Sequence, residues 1–172
     1  MMGLVTEEVG NWQTELAPLR KRVFSLTEPS RGVFALACAE RLVRHAAPDV
    51  AESLQGPLSE AWSVALEGEG NLRAIRDEMD ARGDLDDDAV AAVAFAITAV
   101  IGSADHAWWA ANRVLDQAFS RVEYPADARL FRPLAEDLAS SQVQGEIRWI
   151  DQALTRLEAS GPSADVIEEL PQ

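Results

Sequence analysis

Residues 89–102, which read AVAAVAFAITAVIG, decide the fold of this chain. Thr98 is the only polar residue among them, and none is charged. As a helix the segment would span roughly 21 Å, which is shorter than the ~30 Å hydrocarbon core of a bilayer. The alanine content and the absence of Gly or Pro before Gly102 favour a helix over a buried strand. We therefore predict that the segment is the central helix of an all-α, single-domain bundle of about six or seven helices.

The length of the chain, 172 residues, suits one domain with a substantial core. We place this helical domain at residues 1–160, because neither a linker nor an internal repeat divides them. Residues 161–172 begin with Gly-Pro-Ser and are acidic, without a core-forming pattern. Such a segment is predicted to be a disordered tail.

Caps and breakers predict the helices on either side of the central one. Gly56-Pro57 predicts an interruption, and Asn71 and Ser103 predict caps. Two points stay open, because Pro18 either breaks or kinks the first helix and the last helix has a weak point near Ser140-Ser141 or at Gly145. The predicted helical segments are 6–16, 18–24, 28–46, 48–54, 58–67, 72–82, 104–122 and 128–159, with a loop at 123–127.

The charge balance limits the classes of partner. The chain has 29 acidic and 15 basic residues, which gives a net charge of −14. Such a surface repels nucleic acid and anionic membranes and attracts a basic protein. The alternative is that the acidity serves only solubility. The first residues lack the basic region and apolar run of a signal peptide, and Cys38 is the only cysteine, so we expect a cytoplasmic protein.

The acidic residues concentrate just before the central helix. Residues 67–88 contain nine carboxylates and three arginines. One or two of the carboxylates are explained as caps of the central helix, where they also oppose the helix dipole. The surplus predicts an acidic surface for a basic partner, with these candidate contact residues: Asp84, Asp86, Asp87 and Asp88.

Trp109 is the candidate aromatic contact. Helical spacing places it with Arg113 and Asp116 on the polar side of the helix that follows Ser103. A tryptophan on a polar face is either a partner contact or a residue covered by a loop or another helix. Both interpretations stay open at this point.

The known catalytic and cofactor patterns are absent from the sequence. There is no G-x-G-x-x-G, phosphate-loop or H-E-x-x-H motif, and neither His45 nor His106 follows a Glu by three residues. The run from Asp84 resembles a calcium loop but has Ala89 and Phe95 where that loop needs Gly and Glu. Cys38 lies on an apolar helical face without a polar activator and is predicted to be a small buried residue. We therefore expect no enzyme activity, no cofactor and no metal.

One segment resembles a known family. Residues 34–41, FALACAER, are similar to the F-x-x-A-C-x-E-R signature of YjaG-like proteins, a bacterial family of unknown function. The likeness extends to the Trp62 region, to the acidic run before the alanine-rich helix and to residues 144–154, QGEIRWIDQAL. The resemblance implies a compact α-helical fold and supplies no catalytic residues. The chain departs from that family in its shorter interhelical segments and an extra N-terminal segment.

The general character of the chain also resembles the small, acidic, all-α immunity proteins that protect bacteria from secreted toxins. We therefore expect a non-enzymatic protein-binding module, an immunity-type inhibitor that neutralises a basic partner through an acidic surface. The alternative is a YjaG-like cytosolic protein with a housekeeping or regulatory role, acting either as a single chain or as a homo-oligomer.

Overall fold

The computed structural model describes residues 12–68, 70–123, 134–163 and 166, and these residues are helical with short connections. Seven helices have nine or more residues, while α1 and α8 are short. The helices are α1 (Trp12–Glu15), α2 (Ala17–Ser25), α3 (Glu28–Val43), α4 (Pro48–Glu67), α5 (Leu72–Asp80), α6 (Asp88–Val100), α7 (Ala104–Ser120), α8 (Leu134–Leu138) and α9 (Ser141–Ser160). The predicted all-α, single-domain bundle is confirmed.

Helix α6 is the predicted central helix, and it packs against α3, α4, α5 and α7. Most of its residues are buried, including Val90, Val93 and Ile97, each at 0% exposure. Helix α3 shares this central position, because residues 32–39 are all buried. Gly32 permits the close approach of these two helices, since a Cβ there would lie 3.2 Å from the Val100 Cα.

Helix α3 starts as predicted and ends three residues early. The backbone N–H of Ser30 donates to Thr27 Oγ1, and Pro29 occupies the first turn. At the other end His45 N–H donates to the Leu42 carbonyl and Ala46 N–H to the Val43 carbonyl. These bonds span three residues, so the chain tightens into a turn before Pro48.

Helix α4 corrects the prediction of an interruption at Gly56-Pro57, because it is continuous from Pro48 to Glu67. Pro57 removes one helical N–H and usually breaks a helix interior. Here Leu54, Leu58 and Ala61 form one buried stripe that joins both sides of the proline to the core. The packing of this stripe outweighs the local preference, and α4 ends at Gly68 in the left-handed conformation (φ 75°).

Two predicted caps are wrong in their chemistry. Asn71 precedes α5 but its side chain makes no capping hydrogen bond. Ser103 precedes α7, and its hydroxyl shares a hydrogen bond with His106 instead of capping the backbone. Pro18 lies in the first turn of α2, after a break at Leu16.

The C-terminal helical region is divided at the first of the two predicted weak points. Ser140 caps α9 by accepting from the Val143 N–H, whereas Gly145 lies inside α9. The predicted loop at 123–127 and the start of the last helix fall outside the described residues, apart from residue 123. The same holds for most of the predicted tail, of which 161–163 and 166 are described. Val166 is 6% exposed and packs against the core.

In the part of the chain that the structure describes, no helix combines the length and the apolar character that crossing a bilayer requires.

Candidate protein-binding surface

The acidic residues before α6 have separate structural tasks. Asp87 is the N-cap, because its Oδ1 accepts from the N–H groups of Ala89 (2.9 Å) and Val90 (3.2 Å). Asp84 instead binds the Arg82 guanidinium through two hydrogen bonds of 2.8 and 2.7 Å. This contact holds the pKa of the Asp84 carboxyl below its usual value. Asp87 and Asp84 therefore both have partners within the fold.

Asp88 joins α6 to α7. Arg113 Nη1 donates to Asp88 Oδ1 at 3.2 Å, and both side chains are about 30% exposed, at 32% and 29%. The Arg113 guanidinium also lies 5.8 Å from the centre of the Phe95 ring. This placement combines an ion pair with a cation–π contact. Arg113 therefore fixes Asp88 beside the polar side of α7.

Trp109 is exposed and held in place at the same time. Its side chain is 43% exposed, as a partner contact requires. Its ring centre lies 5.6 Å from that of Phe95, at 67°, and 4.4 Å from that of His106, at 57°. The edge-to-face contact with Phe95 and the tilted contact with His106 pack the exposed ring on two sides. We define the Trp109 surface by Phe95, His106, Trp109, Arg113 and Asp88.

Two titratable groups on α7 respond to burial at this surface. Burial lowers the pKa of His106, as does Arg76, whereas Asp105 and Asp80 oppose this shift. His106 Nδ1 lies 2.6 Å from Ser103 Oγ. Burial also raises the pKa of Asp116. The positive charge of Arg113 opposes this shift, and the negative charge of Asp88 adds a smaller increase. The surface therefore favours the neutral forms of both groups.

The structure brings together two of the five residues predicted from the sequence. Asp88 and Trp109 both belong to the Trp109 surface, where Arg113 binds Asp88. Neither the acidic run nor the helical spacing of α7 indicates this contact. Asp86 is exposed and forms no ion pair within the described part of the chain. Asp84 faces away towards α4, because its partner Arg82 also donates to Ser53 Oγ at 3.2 Å.

Among the described ion pairs the most enclosed one lies elsewhere, and none of the sequence patterns indicates it. Arg41 Nε and Nη2 donate to the two carboxylate oxygens of Glu146, at 2.6 and 3.1 Å. The guanidinium also lies 4.9 Å from the Trp149 ring centre. Arg41 belongs to the octapeptide 34–41, and Glu146 and Trp149 belong to the segment 144–154. The two segments that carry the family resemblance are therefore in direct contact.

The remaining candidates for chemistry lie in the core or are scattered. Cys38 is 0% exposed, and burial raises the pKa of its thiol. His45 is exposed on a shallow cleft of about 120 Å³ between α3, α7 and α9. Within residues 12–68, 70–123, 134–163 and 166, no three His, Cys, Asp or Glu side chains converge as metal ligands.

Comparison with protein-family models and with curated proteins yields no match. A solved structure does match, that of a DUF416 family protein from Shewanella baltica OS155. Its TM-score to this chain is 0.69, and the match covers 88% of this chain and 90% of that one, with 17% identical residues. At this identity the likeness shows a shared all-α fold. The resemblance of residues 34–41 to YjaG-like proteins stays a prediction.

Proposed function

We propose that this protein is a non-enzymatic protein-binding module, an immunity-type inhibitor that neutralises a basic protein partner. The observation that carries the proposal is Trp109, an exposed aromatic side chain fixed by Phe95 and His106. Tryptophan is among the residues that contribute most to binding when a partner buries them. An already ordered ring loses less conformational entropy on binding than a mobile side chain.

Charge supports a basic partner. The net charge is −14, and the Trp109 surface lies near carboxylates of three elements: Asp80 on α5, Asp88 on α6, and Asp105 and Asp116 on α7. Opposite charge speeds the encounter, whereas buried aromatic contacts set the dissociation rate. Within the predicted acidic run, Asp86 is the carboxylate best suited to a partner contact, because Asp84, Asp87 and Asp88 already have partners in the fold.

The test is capture of partners from the native host with tagged wild-type protein, Trp109→Ala and Leu66→Ala. Leu66 is a matched control, because it is also 43% exposed but lies on α4. We expect wild type and Leu66→Ala to capture the same basic protein in stoichiometric amount, and Trp109→Ala to lose about tenfold or more of it. Capture of no other protein, or equal loss in both variants, contradicts the proposal.

The ionic-strength dependence of binding to the purified partner is the second readout. If charge steers the encounter, the association rate constant falls by about tenfold or more between 0.05 and 0.5 M NaCl, whereas the dissociation rate constant changes less. Asp86→Asn lowers the association rate and leaves the fold intact, because Asp86 is exposed. Asp87→Asn is unsuitable here, since it also weakens the cap of α6.

The alternative function is that of a self-associating helical protein with a housekeeping or regulatory role. Its support is that large apolar side chains other than Trp109 are also exposed, including Phe24 and Ile101, each at 37%. Association through apolar faces does not slow at high ionic strength. Light scattering across a range of protein concentrations measures the mass, and a salt-insensitive dimer lost in Trp109→Ala supports this alternative.

A further inference from the structure

A groove with a volume of about 340 Å³ lies between α4 and α5. Both walls follow helical spacing, with residues 53, 56, 57 and 60 from α4 and residues 75, 78 and 79 from α5, followed by residue 82 beyond its end. Arg82, just past the end of α5, contacts Ser53 near the start of α4, so the two helices run antiparallel. Seven residues of helix give the groove a length of about 10 Å.

The groove has an apolar floor and acidic walls. Met79 is 1% exposed and Ile75 is half-buried. Glu60 projects from α4 and Glu78 from α5, and both are exposed. Neither carboxylate forms an ion pair with the described residues. The Arg82 guanidinium, which also lines the groove, is bound to Asp84 through two hydrogen bonds and interacts with Glu78 only at longer range.

Gly56 and Pro57 keep the middle of the groove open. Both residues are unfavourable in a helix interior, yet they are adjacent within α4 and both line the groove. Apart from the two neighbouring residues and the backbone of α4 itself, no atom lies within 4 Å of the position that a Cβ at Gly56 would take, so the space beside it is open. Pro57 has no N–H, so the Ser53 carbonyl loses the helical bond that residue 57 would donate.

We propose that this groove binds an arginine or lysine side chain of a basic protein segment. The methylene stem of such a residue packs on Ile75 and Met79, and its cationic end lies between Glu60 and Glu78. Charge complementarity selects this occupant, because Glu60 and Glu78 line the groove and form no ion pair with the described residues. The proposal rests on the proposed function in one respect, namely that the segment belongs to the partner.

The groove and the Trp109 surface lie beside different faces of α5. Ile75, Glu78 and Met79 face α4, whereas Arg76 and Asp80 are close enough to His106 to act on its pKa. A partner that crosses α5 therefore reaches Trp109 with one part and the groove with another. The two sites are separable by mutation, since they share no residue.

The test is binding of an acetylated hexa-arginine amide peptide, measured by fluorescence anisotropy in about 0.15 M NaCl. Glu60→Gln combined with Glu78→Gln is expected to weaken binding by about tenfold or more. The matched control combines Glu15→Gln with Glu123→Gln, which removes the same charge at exposed positions on other elements. We expect this control to change binding by less than about twofold.

Gly56→Leu tests the groove without altering charge. The leucine side chain fills the space beside Gly56, and peptide binding is expected to fall by about tenfold or more. Because a Cβ on the residue before a proline disfavours the helical conformation, the melting temperature is expected to fall by a few degrees while circular dichroism shows unchanged helical content. Undiminished binding by Gly56→Leu, equal losses in the groove and control variants, or no binding by wild type overturns the proposal.

The two proposals fail separately. If the peptide does not bind but Trp109-dependent capture persists, the groove inference is wrong and the proposed function stands. If the peptide binds in the groove but no protein is captured, the proposed function is wrong and the groove is a site for basic peptides.

Discussion

At the scale of single residues, the contact of Arg41 with Glu146 and Trp149 is the best-protected charged contact among the described ion pairs. The Arg41 and Glu146 side chains are 21% and 19% exposed. This contact gives a structural reason for Arg41 in the signature at residues 34–41, because Arg41 reaches α9. Phe34 and Cys38, two other residues of the signature, are fully buried. Glu40, the other charged residue of the octapeptide, pairs only with Arg44 on the surface of α3.

Glu146→Gln is therefore expected to cost about 1–3 kcal/mol of unfolding free energy, because it leaves a partly buried guanidinium without a carboxylate. The control is Glu40→Gln, which removes an exposed pair four residues apart and should cost less than about 0.5 kcal/mol. Urea unfolding followed by circular dichroism measures both values. Equal costs would show that the contact between α3 and α9 is no stronger than a surface pair.

Asp116 gives a pH-dependent prediction. Burial raises its pKa above the ordinary 3.8, so the ionised form is disfavoured in the folded state. The carboxylate therefore lowers stability at neutral pH, and the penalty disappears as the pH falls through the raised pKa and then below 3.8. Asp116→Asn is expected to raise the unfolding free energy at about pH 7 and to give no gain at about pH 3.

Urea unfolding at both pH values measures this difference, and Asp86→Asn is the control. Asp86 is exposed, so its substitution should change stability by less than about 0.5 kcal/mol at either pH. A gain from Asp116→Asn that persists at low pH would be evidence against burial as its cause.

At the scale of helices, local signals and packing disagree in α4. Proline and glycine predict a break at 56–57, yet Leu54, Leu58 and Ala61 pack in one stripe and keep the helix continuous. For α6 the two agree, because Asp87 caps its start and its apolar residues face neighbours on all sides. Helix ends set by neighbouring residues are therefore predictable, whereas continuity set by distant residues is not.

The same limit applies to the candidate surface. The contact of His106 with Trp109 lies within one helix, three residues apart, and follows from helical spacing. Phe95 and Asp88 meet that helix from α6, and no local pattern encodes their contacts with Trp109 and Arg113. The sequence therefore predicts the polar side of α7 but not the neighbours that order Trp109.

Substitution of two helical glycines by alanine is expected to change the stability of the protein in opposite directions. Gly145→Ala in α9 is expected to stabilise the protein by about 0.5–1 kcal/mol, because the new methyl group meets open space and the unfolded chain loses freedom. Gly32→Ala is expected to destabilise it by about 1 kcal/mol, because the methyl group would press on the Val100 backbone and force α3 and α6 apart.

Thermal unfolding of the two variants beside wild type measures the signs. The pair is internally controlled, since both substitutions add one methyl group to a helix interior. Stabilisation by Gly32→Ala would indicate that α6 gives way at Val100 without loss of packing.

At the scale of the whole molecule, the net charge of −14 produces self-repulsion in the folded state. Raising NaCl from about 0.01 to 0.15 M shortens the screening length from about 30 to 8 Å. We expect the melting temperature to rise by a few degrees over this range.

Calorimetry at constant pH measures this change, with KCl as the control for specific ion effects. A melting temperature that falls with salt would mean that the ion pairs, such as Arg22 with Glu158, contribute more than the repulsion subtracts.

The position of α9 has a consequence for synthesis of the chain. Arg22 on α2 bonds Glu158, which lies 136 residues later, and Arg41 bonds Glu146, which lies 105 residues later. A ribosome releases α2 and α3 long before it makes α9, so the apolar surface that Ile150 and Leu154 later cover is open to water in the nascent chain. During that interval the growing polypeptide is most exposed to aggregation and to chaperones. Stalling of translation just before Ser141 should therefore yield a chaperone-bound species that full-length synthesis does not.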